Sequence, residues 1–380
     1  MDFDLSQEQE MLAETARRFM TTKYSFERRR EILASPAGFS HEVWRQLAEL
    51  GLTTLLVPTG QGGLGAGPIE TMVVMNAFGA GMLLEPFWSS AVHSTLLLSK
   101  LDGPGAAKLL EQLGTGERIA TVGDTEPGRR YEAGSLNTTA ERTAAGWTLK
   151  GVKSMVLHAA AADVLLVTAR TRSAAGPSVF AVSRAAEGVT VRDIRMIDGR
   201  RAGEVHLSDV RVGEEALLGG DGHAASALKE AHDVALAALC ADAVGVMRAL
   251  LNATQSYLQT RKQFGKPIGS FQALQHRIVD MLIHYEQAQS MSMLAAMQCM
   301  AADEGERRRT LSAAKVVVGQ AGRFVGQQAV QLHGGMGMSD ELDVSHLFKR
   351  LTASELLLGD TDHHMQQFIA SQAAVRAPRP

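Results

Sequence analysis

The sequence predicts an α+β multidomain chain: an N-terminal helical domain, a middle antiparallel β-barrel or sandwich, and a C-terminal four-helix bundle. Three observations carry this expectation. Apolar residues recur at three- and four-residue spacing up to about residue 115, then alternate in short β-branched runs between about 118 and 222. After about 225 they return to helical spacing in four long segments separated by glycine and proline. The boundaries this sets are 1–117, 118–222 and 223–380.

Ser6 with Gln9 forms a capping-box pattern, because the hydroxyl accepts from an orphan amide while the glutamine reaches back to the cap. Phe3, Leu5, Met11, Leu12 and Phe19 supply the apolar stripe of the helix that follows. Ser40 caps a second helix carrying Val43, Trp44, Leu47 and Leu50, and Gly51 stops it. Leu52 to Val57 reads as a short strand before a GxGxxG at Gly60, Gly62 and Gly65. No βαβ unit surrounds that motif, so it is a surface loop rather than a dinucleotide fingerprint. In the middle domain, strands are expected at Trp147–Lys153, Val164–Thr168, Val179–Val182, Val189–Ile194 and Glu204–Leu207. The bundle helices fall at roughly 225–262, 271–303, 306–332 and 340–374, with Met291, Met293, Met297 and Met300 as core gap-fillers.

With 45% hydrophobic and 21% charged residues, the 380-residue chain has the composition of an ordinary globular protein. A net charge of −3 lacks the basic excess that phosphate-backbone binding requires, which excludes nucleic acid as a first expectation. No basic n-region or apolar h-region opens the chain, and the most apolar stretch, Val234–Leu251, contains Asp242 and Arg248. The expectation is a cytoplasmic protein with no membrane span. Cys240 and Cys299 lack CxxC spacing and read as buried thiols. The arginine runs Arg28–Arg30 and Arg307–Arg309 read as solvated helix surface.

Two strings carry chemistry. The first is Tyr257-Leu-Gln-Thr-Arg261-Lys-Gln263-Phe264-Gly-Lys-Pro267-Ile268, continued by Phe271-Gln272. Arg261 offers a planar fork of donors suited to a pyrophosphate, Phe264 an aromatic face for stacking, and Gln263 and Gln272 hydrogen bonds to a ligand edge. The second is Gln331-Leu-His333-Gly334-Gly335-Met-Gly337, whose glycines let a ligand approach the backbone. His333 itself reads as a packing or hydrogen-bonding group rather than an acid or base.

Laid on a helix–β–helix layout, these RxxFGxPI and QxxGGxG strings resemble the acyl-CoA dehydrogenase family over essentially the whole chain. The resemblance implies the fold of that family and an FAD flavoprotein, normally tetrameric, that dehydrogenates acyl-CoA thioesters at their α and β carbons. It also implies electron-transfer flavoprotein as acceptor. Arg261, Gln263, Phe264, Gln272, Gln331, Gly334 and Gly335 are then the expected FAD contacts, reaching a neighbouring subunit's cofactor. No metal is implied.

The departures are as specific. The family's catalytic glutamate near the C-terminus is replaced by Gly359 in Leu358-Gly359-Asp360-Thr361. The alternative base position on the first bundle helix is Ala235, and the arginine usually beside it is Leu236. Thr125-Glu126-Pro127 survives from the flavin-binding region. In Gly151-Val-Lys153-Ser-Met155-Val-Leu157-His158, however, Met155 and Leu157 stand for the aromatic and hydroxyl residues next to the flavin ring. Asp360 is a candidate substitute base, set against a plainer reading in which Asp360, Asp362, His363 and His364 begin a helix. No catalytic residue is assigned.

Kept contacts to a neighbour's cofactor, together with a lost base, are similar to the small, base-less subunits of heteromeric α2β2 members such as pimeloyl-CoA dehydrogenase, as is the opening MDFDLSQEQ. The alternatives are a homotetrameric flavoprotein catalysing a non-redox elimination on an acyl-CoA, and a purely structural partner subunit. The identity of the acyl group is not encoded in these strings.

Overall fold

The computed structural model describes residues 4–131 and 136–376, the side chains of 372–376 excepted. Phe3 and the first residues of MDFDLSQEQ lie outside them. Helix α1 (Gln7–Lys23) begins with the full capping box: Gln9 N–H donates to Ser6 Oγ at 3.2 Å and Ser6 N–H to Gln9 Oε1 at 2.9 Å. Its buried side is Ala13, Ala16, Phe19 and Met20, whereas Met11 is exposed, so the stripe lies about one position round from the expected one. Next come α2 (Phe26–Ala34), α3 (His41–Glu49, capped by Ser40), α4 (Pro68–Ala80), a buried π-helix at Phe87–Ser94, α5 (Thr95–Ser99) and α6 (Pro104–Gly114). The strand expected at Leu52–Val57 is instead a 3-10 turn at Leu52–Thr54 leading into the glycine loop. That removes the last support for a dinucleotide fingerprint there.

Chain contacts divide the molecule into two compact units, 31–67 with 84–235, and 1–30 with 68–83 and 236–380. The first contains two four-stranded sheets built from β1 (Ala120–Gly123), β2 (Thr139–Thr143), β3 (Gly146–Leu157), β4 (Val164–Ala169), β5 (Ser178–Ser183), β6 (Val189–Arg195), β7 (Arg201–Val212) and β8 (Leu217–Leu218). Strand orders are β1-β4-β5-β8 and β2-β3-β7-β6. Every strand expected in the middle domain is present. The all-antiparallel expectation is corrected where β1 pairs parallel with β4, and again at an isolated parallel bridge between Thr139 and Arg170. The sheets share a core in which Trp147 of β3 meets Phe180 of β5 edge to face at 5.4 Å, a geometry favoured by the ring quadrupoles.

The second unit holds most of α7 (Ala225–Thr260), then the hairpin β9 (Lys262–Gln263) and β10 (Lys266–Pro267), α8 (Gln272–Gln298), α9 (Glu304–His333), α10 (Asp343–Leu356) and α11 (Thr361–Arg376). The single last helix expected over 340–374 is therefore two helices with a break at residues 357–360. Helices α4 and α7 cross closely: a Cβ at Gly79 would lie 2.1 Å from the Asp242 carbonyl, and one at Gly245 1.9 Å from that of Asn76. By length and composition α7 could cross a membrane, yet 89% of its apolar window is buried in the protein. Its Asp242 is held by the Arg350 guanidinium through two bonds of 2.7 and 3.0 Å, a buried fork-to-carboxylate pair, while Arg350 Nη1 donates to Leu83 O.

Three other expectations need correction. Arg29 is fully buried rather than solvated, with Nε donating to Met82 O at 3.0 Å and Nη1 3.1 Å from His346 Nδ1. Met300 is exposed and Met291, Met293 and Met297 are half-buried, because α8 turns Met281, Tyr285, Ala288 and Ala295 to the core instead. Arg307 is half-buried, and its guanidinium donates to Ala301 O. Cys240 and Cys299 are buried thiols that form no disulfide among the described residues, and burial pushes Cys240 up to about 11.

Candidate functional site

In the β-containing unit, Thr125-Glu126-Pro127 follows β1 directly. Lys153, wholly buried on β3, donates to Glu126 Oε1 at 2.7 Å and to Thr168 Oγ1 at 3.0 Å. The backbone amides of Asn137 and Thr138 donate to the same carboxylate at 2.6 and 3.0 Å. Burial alone would raise the Glu126 carboxyl, but these donors outweigh it and hold it down at about 2, while burial pulls the Lys153 ammonium below its ordinary value. Glu126 thus anchors the loop, with no capacity left for acid or base work. Between Lys153 and Val156 the register of β3 against β7 slips, placing Ser154 and Met155 in a bulge. Met155 adopts φ +53 and its side chain is half exposed, the re-aiming that such bulges produce. Leu157 is buried, and the neighbouring His158 is buried between Ser89 Oγ (2.9 Å) and Leu84 O (3.0 Å). Ala235 is fully buried, and its carbonyl accepts from Trp88 Nε1 at 2.9 Å; Leu236 is buried as well.

The helical unit gathers the other string on one turn. Phe264 and Gly265 link β9 to β10 with φ +54 and +77, the paired left-handed conformations of a type I′ hairpin. A bulky aromatic in that conformation is rare. The Phe264 ring is 89% exposed, with the Phe271 ring perpendicular to it at 5.9 Å, and Lys266 Nζ caps the Phe271 face at 4.4 Å. Arg261, Gln263 and Gln272 are exposed on the same turn, and among the described residues the Arg261 guanidinium has no hydrogen-bond or ion-pair partner.

Gln331, Gly334 and Gly335 are exposed at the end of α9, with open space around both glycines. The two strings are joined by a contact that the sequence patterns do not show: the Tyr257 and His333 rings stack at 4.4 Å and 26°. His333 Nδ1 is held by Ala329 O at 2.8 Å. A guanidinium unpaired among the described residues, an exposed aromatic in a constrained turn and side-chain-free backbone could hold the phosphate and ring portions of a dinucleotide.

At the break between α10 and α11, Lys315 is buried and donates to the carbonyls of Ser354 (3.0 Å) and Glu355 (2.7 Å), capping the end of α10 with a cation. Burial draws its ammonium down to about 8. Its signal in the sequence is a lone lysine within Ser-Ala-Ala-Lys-Val-Val-Val-Gly. Glu355 Oε1 accepts from the Thr361 amide at 3.1 Å, and Asp360 Oδ1 accepts from that of His363 at 2.9 Å. Asp360 is therefore the cap of α11. Gly359, with φ +108, has no room for a side chain: a Cβ would lie 2.6 Å from His364 Nε2 and 2.7 Å from His363 Cδ2.

Comparison with known proteins places three consecutive family models on the chain: "Acyl-CoA dehydrogenase, N-terminal domain" at residues 6–109, "middle domain" at 121–210 and "C-terminal domain" at 225–373. Glutaryl-CoA dehydrogenase of Desulfococcus multivorans is 30% identical, covering 92% of either chain. Among solved structures, a variant of the Tcur3481-Tcur3483 steroid ACAD is 28% identical with a TM-score of 0.88, covering 98% of this chain and 99% of that one. The ChsE4-ChsE5 complex from Mycobacterium tuberculosis is 25% identical with a TM-score of 0.88, covering 100% of both chains.

Proposed function

The chain belongs to the acyl-CoA dehydrogenase family, and on that premise we propose that it is the base-less small subunit of a heteromeric, cytoplasmic acyl-CoA dehydrogenase. FAD is the family's cofactor and, when bound, supplies the hydride acceptor for α,β-dehydrogenation of the thioester. The observation that carries the reading is the closed base position. Gly359 is walled by His363 and His364, Ala235 is buried, and Asp360 is occupied as a helix cap.

The outward-facing residues support the other half of the proposal. Arg261 pairs its fork with pyrophosphate oxygens, Phe264 covers a ring, and Gln331 with the Gly334-Gly335 backbone completes the cradle for a cofactor held by a homologous partner chain. That partner supplies the glutamate that takes the α-proton, and reducing equivalents leave to an electron-transfer flavoprotein. Similarity to the ChsE4-ChsE5 complex, which is by its name an assembly of two components, is in keeping with this division.

The deciding experiment is co-expression with a homologous dehydrogenase chain encoded nearby, followed by FAD counting and an acyl-CoA dehydrogenation assay. Activity confined to the mixed tetramer, with FAD at half of its sites, is expected. The chain alone binding stoichiometric FAD and turning over an acyl-CoA would overturn the proposal, and full occupancy in a homotetramer without dehydrogenation would favour a non-redox elimination instead.

A further inference from the structure

Three residues far apart in sequence converge within the β-containing unit, outside every string discussed so far. His93 comes from the buried π-helix, Asp124 from the residue after β1, and His232 from the second turn of α7. Each offers one ligand atom, and these atoms all lie within 4.8 Å of one another. His232 Nε2 is 2.5 Å from Asp124 Oδ2, and the His93 and His232 rings face each other at 5.1 Å with a tilt of 34°.

The independent sign of a missing ligand is His93. Its side chain is 4% exposed, and its Nε2 has no hydrogen-bond partner among the described residues. Buried polar atoms are almost always satisfied, so an orphan in a cluster of metal-ligating groups points to an atom that belongs there. Asp124 Oδ1 meanwhile accepts from Thr125 Oγ1 at 3.3 Å, an outer contact that orients the carboxylate.

We propose that His93, Asp124 and His232 form a divalent transition-metal site with three protein ligands and one open position. Two imidazoles and one carboxylate match Zn2+, Co2+ or Fe2+ and not the all-oxygen preference of Ca2+ or Mg2+. Tetrahedral coordination with bonds of about 2.0–2.1 Å sets ligand atoms about 3.4 Å apart. The His232–Asp124 contact opens by about 0.9 Å to reach that spacing, and no pair has to close by more than about 1.4 Å, both within the reach of side-chain rotation. The fourth position is left to water or an anionic oxygen. The proposal does not depend on the redox assignment above, because it concerns only these three side chains.

The test uses the full chain, stripped with chelator and titrated with Co2+ and then Zn2+, read by calorimetry and by the visible bands of tetrahedral Co2+. One ion per chain is expected, with intense bands that Zn2+ abolishes. His93→Asn and His232→Asn should each weaken binding by at least about tenfold, while His363→Asn leaves it unchanged. Circular dichroism confirms that each variant is folded, and the partly exposed His232 provides a readout should the buried His93 variant fail. Absence of saturable binding to the wild type, affinity unchanged in the folded His232→Asn variant, or binding lost with His363 would each overturn the site.

Discussion

Placing a methyl group at Gly359 should destabilise the chain by about 2–6 kcal/mol, far more than an ordinary loop substitution. One part is backbone: at φ +108 an L-residue sits in a region open essentially only to glycine, at about 1–3 kcal/mol. The other is overpacking. The new Cβ would stand 2.6 Å from His364 Nε2, and that ring is held by Leu358 O at 2.9 Å and Ser312 Oγ at 3.4 Å. Forcing an anchored ring aside adds about 1–3 kcal/mol. Urea denaturation of Gly359→Ala, His364→Ala and the double variant measures both parts, since the single changes share a contact and should couple favourably in the double. If Gly359→Ala unfolds within about 0.5 kcal/mol of the wild type, the turn is not closed as described. Gly359→Glu carries the same obstacle, so it should not make the chain an independent dehydrogenase; free-standing turnover in that variant would defeat the argument.

Two further outcomes follow from the buried ion pairs. Asp242→Asn should cost about 3–5 kcal/mol by stranding the Arg350 charge, and Asp242→Leu with Arg350→Met should recover most of it; thermal denaturation of the three variants decides. The Glu126 carboxyl lies at about 2 in the fold against an ordinary 4.5, so its contribution is fully present above pH 4.5 and is lost as pH falls from there towards 2. The amplitude should be about 3 kcal/mol, the shift taken at about 1.4 kcal/mol per pH unit. Glu126→Gln should flatten that part of the stability profile.

What could be read from the sequence was local and periodic. Ser6 with Gln9, Ser40 before Val43, and the β-branched runs at 164–168 and 179–182 each announce an element within a few residues. β1 and β8 escaped because Ala120–Gly123 and Leu217–Leu218 are too short to show a period, and β1 draws its pairing from β4 far along the chain. Arg29 looked solvated because its neighbours are charged, and only the tertiary placement of Met82 and His346 buries it. The break in the last helix was hidden by the apolar run continuing through Leu358, past the point where Lys315 ends α10. The Tyr257–Ile268 string was legible as a motif, but its exposure and its stacking link to His333 through Tyr257 required the fold. His93, Asp124 and His232 left no trace, since spacing patterns detect only ligands that share one or two neighbouring elements.

The turn at 357–360 also has a mechanical meaning. Its shape is maintained from outside, by Lys315, by the Glu355 carboxylate and by the cap at Asp360. Two imidazoles now fill the space that a side chain there would need. A carboxylate at 359 would demand a new backbone conformation and the retreat of both rings at the same time. The turn therefore behaves as a lock with three tumblers, which no single substitution opens.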